Sequence, residues 1–272
     1  MVKFPLDTSD RKEIGRRGDR VSAIGLGTYG ISDYAEAMRA AERALELGVD
    51  NVDTAQVYDS GRAERFVGEL IKRVGKDRVF VTTKIWPNRL TSREEVLRAG
   101  RESLNRLGLS TVDLILIHWP NRDMRIADQV RNFESLYLEG LTRYIGVSNF
   151  TVEDLREGME ALRKAEIVVD QVRYSVLRKE PERELLDFAL RNGITLQAYT
   201  PIEKGGVSGN PVISEVSKKY GKTPVQVALN YLICRPRVIP IPKAERVKHV
   251  EEVAGAMGWR LREEDLSKLE GI

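Results

Sequence analysis

Four residues able to do acid–base chemistry stand at the ends of short apolar runs. Asp53 closes "GVDNVD", Tyr58 follows in the next loop, Lys84 comes directly after "VFVTT", and His118 directly after "DLILI". Singly, each has an ordinary role. A strand-end aspartate or lysine caps or pairs, a histidine there hydrogen-bonds in the core, and a loop tyrosine packs. Together they suit one reaction. A phenol has a pKa of about 10, and a lysine cation beside it favours the phenolate and lowers that value. Asp53 would keep Lys84 charged, since a buried charge without a partner is costly. A neutral His118 would hydrogen-bond a carbonyl oxygen. Tyr58 would then give a proton to that oxygen while hydride reaches the carbon. No side chain supplies hydride, so a nicotinamide is implied.

The elements that must position these residues alternate regularly. "VSAIGL", "GVDNVDT", "RVFVTTKI", "VDLILIH", "RYIGVSN", "IVVDQVRY", "ITLQAYT" and "VIPIP" read as strands. The segments that follow them read as helices over 33–47, 62–74, 92–107, 125–139, 152–164, 181–192, 211–220 with 223–234, and 245–256. Eight strand–helix units without a composition break predict an α/β fold, a (β/α)8 TIM barrel forming a single domain over 1–272. Such barrels carry their active sites at the C-terminal ends of the strands, where all four residues fall. "KEIGRRGDRVS" predicts an N-terminal β-hairpin, turning at Gly18 and Asp19, that closes the bottom of the barrel. A last helix is expected at 263–270, capped by its Arg-Glu-Glu-Asp start.

"GLGTYG" at 25–30 competes with this reading. It matches Gly-x-Gly-x-x-Gly between a possible strand and a helix, with Asp50 and Asp53 roughly 20 residues on, as in a doubly wound dinucleotide fold. In a barrel the same stretch is the first strand-to-helix loop, and its glycines make room for a close approach.

The 44 basic and 41 acidic residues give a net charge of +3, which is no argument for nucleic acid. A single cysteine, Cys234, excludes an internal disulfide framework and fits a reducing compartment. The N-terminus does not resemble a signal peptide, and no apolar run approaches roughly 18 residues. The expectation is a cytoplasmic protein without membrane attachment. The 31% charged content, with glutamine and cysteine scarce, points to a thermophile.

"GVDNVDTAQVYDSGRAERFVGELI", "TTKIWP", "VDLILIHWP", "YIGVSNF", "VDQVRYSV", "QAYTPI" and "IPKA" arrive in order over about residues 13 to 256. In this succession the chain resembles the aldo-keto reductase family, in its short archaeal or thermophilic prokaryotic alcohol dehydrogenase or aldehyde reductase type. The resemblance implies a monomeric, metal-free barrel that uses NAD(H) and/or NADP(H) on a small carbonyl or alcohol substrate. It assigns the catalytic tetrad to Asp53, Tyr58, Lys84 and His118. It places Ser148, Asn149 and Gln171 on the carboxamide, Tyr199 on the nicotinamide ring, and Thr200, Pro201 and Ile202 along the pyrophosphate. Gly27 and Thr28 match residues beside the nicotinamide ribose. Lys243, Ala244, His249 and Glu252 fall at the adenosine end, and Tyr29, Val57, Trp86 and Trp119 match the substrate walls.

Two departures carry expectations. NADP-preferring members follow the lysine of "IPKA" six residues later with an arginine, and then with an adenine-contacting asparagine. Here His249 and Val253 stand at those positions. A guanidinium is always charged and pairs bidentately with phosphate, whereas an imidazole is mostly neutral near pH 7. The expectation is use of both cofactors with a lean toward NAD, and Arg246, on the same helix face as His249, is a possible substitute cation. Members with narrow specificity carry a loop beyond the last helix. Here the sequence stops at Ile272, and the segment "WPNRDMRIADQ" is short. An open pocket walled by Trp86 and Trp119 is therefore expected. Two other readings remain: a cofactor-binding regulatory barrel without significant turnover, and an unrelated phosphate-binding barrel. The latter would want a Gly-rich loop after the last strands, which "IPKAERV" does not resemble.

Overall fold

A computed structural model describes residues 2–16 and 18–272. The chain opens with an antiparallel pair, β1 (Arg11–Ile14) and β2 (Asp19–Ser22). Eight parallel strands then follow in sequence order: β3 (Gly25–Gly27), β4 (Asn51–Asp53), β5 (Phe80–Ile85), β6 (Val112–Ile117), β7 (Thr142–Ser148), β8 (Ile167–Arg173), β9 (Thr195–Tyr199) and β10 (Val238–Pro240). A parallel bridge between Gly27 and Lys243 joins the first strand to the segment after the last and closes the barrel.

The outer layer comprises α1 (Tyr34–Glu46), α2 (Arg62–Val74), α3 (Arg93–Leu107), α4 (Ile126–Leu138), α5 (Val152–Ala161), α6 (Leu185–Asn192), α7 (Pro211–Tyr220), α8 (Pro224–Ile233), α9 (Val247–Ala254) and α10 (Glu263–Glu270). Their starts are written locally. Asp33 accepts from the backbone of Ala35 and Glu36, and Thr151 and Thr223 each form a reciprocal capping box. Such caps contribute about 1 kcal/mol each. The start of α10 differs from the sequence reading: Arg262 is its cap position and makes no side-chain cap bond. Among the described residues no helix is long and apolar enough to cross a membrane.

The seam explains the glycines of "GLGTYG". A Cβ on Gly25 would stand 2.7 Å from Ile241 Cγ2, and one on Gly27 would stand 3.1 Å from the Ile241 carbonyl oxygen. Glycine is needed there so that the first and last strands can meet. The doubly wound reading fails, because the sheet is a closed, sequentially ordered barrel. "VSAIGL" is also two elements: Val21 and Ser22 belong to the hairpin, and only Gly25–Gly27 joins the barrel.

Strand alternation sorts the core into two layers. Leu114 and Leu116 cluster inside the barrel with Val169 and Ile239, whereas Ile115 and Ile117 pack among the helices. Ile14 and Val21 of the hairpin join the inner cluster and plug the barrel from below. The hairpin connection occupies 15–18, and Asp19 already pairs with Ile14, one residue earlier than the turn read at Gly18 and Asp19. Arg17 in that connection lies outside the described residues.

Candidate active site

The strand register brings the polar strand ends together. Gly27 pairs with Asp53, Ser148 with Gln171, and Gln171 with Gln197. On β5, Thr83 points outward and donates to Glu64 of α2 at 2.6 Å, so Lys84 points inward. Its ammonium is fully buried and donates to Asp53 Oδ2 at 2.7 Å, the Thr54 carbonyl at 2.9 Å and Tyr58 Oη at 3.1 Å. Asp53 Oδ1 accepts from Gln171 Nε2 at 2.8 Å. Lys84 thus spends its three donors on one carboxylate, one carbonyl and one phenol.

The electrostatics follow from that packing. Burial opposes the Lys84 charge, but Asp53 and Tyr58 outweigh it, and the lysine pKa is raised. Burial also pushes the Tyr58 phenol above its ordinary value, and Lys84 only partly offsets this. The expectation of a net lowering is therefore corrected: at neutral pH Tyr58 holds its proton, the state a proton donor needs. Burial, and then the Lys84 charge, bring His118 down to about 3, so its imidazole is neutral. Its Nδ1 is buried without a hydrogen-bond partner among the described residues. The His118 ring lies edge-on to Tyr58 and Trp86, at 5.6 and 5.0 Å between centroids.

Tyr58 owes its position to a turn that sequence patterning did not reveal. Asp59, Ser60 and Gly61 follow it with φ of 45°, 52° and 84°. Three successive left-handed residues reverse the chain sharply before α2, at a cost for the two non-glycine residues. Tyr34 donates to Asp59 Oδ2 at 3.0 Å and braces the turn.

A second polar group forms a shelf beside the first. Ser148 Oγ donates to the Gln171 carbonyl at 2.7 Å and accepts from Asn149 Nδ2 at 2.9 Å. Tyr199 Oη donates to Asn149 Oδ1 at 2.9 Å. Gln171 commits its side-chain amide N–H groups to Asp53 and Gln197, which leaves its side-chain oxygen Oε1, distinct from the backbone carbonyl that Ser148 uses, to accept from a ligand. Asn149 and Thr200 line the mouth with φ of 62° and 53°. For β-branched Thr200 that conformation is strained, a feature that gathers at functional sites.

Both groups border one cavity of about 890 Å³. It runs from Tyr29, Val57, Trp86 and Trp119 past Gly27, Asp53, Tyr58, His118, Ser148, Asn149, Gln171 and Tyr199. It continues by Thr200, Pro201 and Ile202 to Lys243, His249 and Glu252. Three sequence candidates stand behind the wall. Lys84 lies beneath Tyr58; Thr28 is buried and donates its hydroxyl to the Asp53 carbonyl at 2.9 Å; Ala244 is buried. Val253, which stands at the adenine-contacting asparagine position, lines the cavity, as do Lys204, Gly205, Val225, Ile241 and Pro242, which had no chemical signal to mark them. Arg246 does not line it. It caps α9 from outside the helix, with φ −121° and ψ 141°, and is exposed.

The aldo/keto reductase family profile matches residues 23–272. The chain belongs to the aldo/keto reductase family. Among curated relatives, a glyoxal reductase of Bacillus subtilis is 34% identical over 253 residues, covering 92% of this chain and 88% of that protein. Among solved structures, the thermostable aldo-keto reductase Tm1743 with the inhibitor epalrestat superposes with a TM-score of 0.90. It shows 36% identity over 96% of this chain and 98% of that one. An aldo/keto reductase from Klebsiella pneumoniae in complex with NADP and acetate gives a TM-score of 0.87 at 29% identity, over 97% and 95% of the two chains. Membership makes this aldo/keto reductase a nicotinamide-nucleotide-dependent oxidoreductase that interconverts carbonyl compounds and alcohols. A purely regulatory, non-catalytic barrel is not favoured.

Proposed function

We propose that this reductase converts small aldehydes, ketones and dicarbonyls to alcohols, and runs the reverse reaction as an alcohol dehydrogenase, with Tyr58 as the acid. The contact from Lys84 to both Asp53 and Tyr58 at the cavity floor carries this reading. The lining fits a nicotinamide dinucleotide: amides complementary to a carboxamide, an aromatic ring beside them, and a cation with carboxylates at the far end. A volume of about 890 Å³ is ample for it. Ser148, Asn149 and Gln171 would hold the carboxamide, Tyr199 the ring, and Thr200, Pro201 and Ile202 the pyrophosphate. Gly27 and, from behind the wall, Thr28 would border the ribose. Lys243, Ala244, His249 and Glu252 would form the adenosine end. When bound, the nicotinamide supplies hydride to the carbonyl carbon. Tyr58 Oη delivers its proton to the carbonyl oxygen, and Lys84, kept charged by Asp53, stabilises the phenolate left behind. Neutral His118 orients the oxygen by a hydrogen bond and does not compete as a proton source. Steady consumption of NADH or NADPH with a panel of aldehydes and ketones tests this; no turnover with any of them overturns it.

The pocket entrance supports broad substrate use. Among the described residues, Tyr29, Val57, Trp86, Trp119 and Leu138 are the exposed large hydrophobics, and the first four border this cavity. An apolar rim of this kind marks a binding site. With few polar groups to immobilise a substrate, many small carbonyls should be accepted with modest affinity. The Bacillus subtilis relative, named a glyoxal reductase, fits that class. Trp86→Ala should raise KM across the whole panel by a similar factor. One substrate far better than its homologues, with a low-micromolar KM, contradicts an open pocket.

Both cofactors should serve, with a lean toward NAD. His249 lines the adenosine end where NADP-preferring members carry arginine. Arg246, the other candidate cation, is exposed at the N-cap of α9 and does not line the cavity, which favours His249 as the deciding position. His249→Arg should favour NADPH by about 1.5–3 kcal/mol, the worth of a charged hydrogen bond. The ratio of kcat/KM for the two cofactors measures this, and an unchanged ratio places the phosphate grip elsewhere.

A further inference from the structure

The adenosine end of the cavity carries a contact that the reaction does not use. Glu245, just past Lys243, lies between two loops. Its Oε2 pairs with Lys243 Nζ at 3.0 Å, and it accepts from the Ser32 backbone at 2.9 Å (Oε2) and the Ser32 hydroxyl at 2.7 Å (Oε1). Ser32 sits in the loop after β3, on the other side of the barrel seam. One carboxylate therefore clasps the loops of the first and last strands. Its side chain is 15% exposed while that of Lys243 is 37% exposed, so the anion is the more enclosed partner. The Ser32 backbone N–H, the Ser32 hydroxyl and Lys243 bring its pKa down to about 2. It is fully ionised at any pH where the protein works.

We infer that Glu245 sets the dinucleotide preference: it engages Lys243 and fixes a negative charge at the adenosine end, selecting a ribose with a free 2′-hydroxyl over one with a 2′-phosphate. The inference rests on the nicotinamide reading above and on the adenosine end lying beside Lys243. A hydroxyl can donate to a carboxylate. A phosphate has no donor to offer it, and must both repel it and compete with it for the lysine. The other groups at this end do not reverse the balance. Glu245 does not itself line the cavity and acts through Lys243, which does; Glu252 is a carboxylate on the wall at this end, and exposed Arg246 does not line it. The cation expected to grip a 2′-phosphate is thus already partnered.

Binding of NAD+ and NADP+ to the full chain, followed by quenching of tryptophan fluorescence, tests this apart from turnover. Trp86 and Trp119 on the cavity wall provide the signal. Glu245→Gln keeps the shape and an acceptor for Ser32 but removes the charge. It should tighten NADP+ about tenfold relative to NAD+. Ser32→Ala, which loosens the clasp and keeps the charge, should change both affinities alike and leave their ratio within about twofold. A Glu245→Gln ratio equal to wild type overturns the inference, as does a Ser32→Ala variant that shifts the ratio equally. If wild type binds neither dinucleotide, the nicotinamide reading itself fails, a result distinct from an unchanged ratio.

Discussion

Tyr58→Phe lowers the rate of carbonyl reduction by about 10²–10⁴-fold, the usual worth of a positioned general acid. It leaves dinucleotide affinity within a few-fold. The phenol meets Lys84 Nζ at 3.1 Å and borders the cavity beside His118, whose imidazole is neutral. Phenylalanine keeps the ring and its edge contacts with Tyr29 and His118, so lost activity reports the hydroxyl and not the packing. Single-turnover rates, with dinucleotide binding measured separately, make the comparison. A variant that keeps more than about a tenth of the wild-type rate, with chemistry limiting, would show that the acid lies elsewhere.

Lys84→Met affects both stability and catalysis. It leaves Asp53 buried without its cation, and breaking a buried pair costs about 3–5 kcal/mol. Denaturant unfolding measures that loss. The catalytic effect appears in the pH profile. Tyr58 has a raised pKa in the wild type, so carbonyl reduction should be flat through neutral pH and fall only in alkali, as the phenol ionises. Alcohol oxidation, which needs the phenolate as base, should rise over the same range. His118, at about 3, adds no step between pH 5 and 8. Removing the Lys84 charge takes away the influence that lowers the Tyr58 pKa, so both alkaline limbs should move to higher pH. A variant as stable as wild type, with an unmoved profile, would contradict the role given to Lys84.

The barrel was legible because parallel strands covered on both faces write themselves as apolar runs, with helical periods between them. Most of the candidate tetrad was legible for a related reason: an aspartate closing one such run, and a lysine and a histidine at the ends of two others, fall at the strand ends, with the tyrosine in the loop after the first. What escaped the sequence depended on distant partners or on competing energies. The glycines at 25 and 27 imitated a nucleotide loop, and only the closing contact with Ile241 shows why a side chain is excluded there. Arg246 looked helical by spacing, but α9 begins one residue later, and Arg246 does not line the cavity. Glu245 carried no signal in the sequence, since its partner Ser32 lies 213 residues away. The direction of the Tyr58 shift is set by burial against one cation, and a sequence does not show which is larger.

Transfer of label tests the central claim most directly. The chain is incubated with NADH carrying deuterium at the transferable C4 position and with phenylglyoxal, and the alcohol product is examined by mass spectrometry and NMR. The account predicts one deuterium on the new carbinol carbon, with the oxygen-bound proton coming from solvent, and near-complete loss of this product in Tyr58→Phe. Absence of labelled alcohol with NADH and with NADPH alike, from protein shown to be folded, would contradict it.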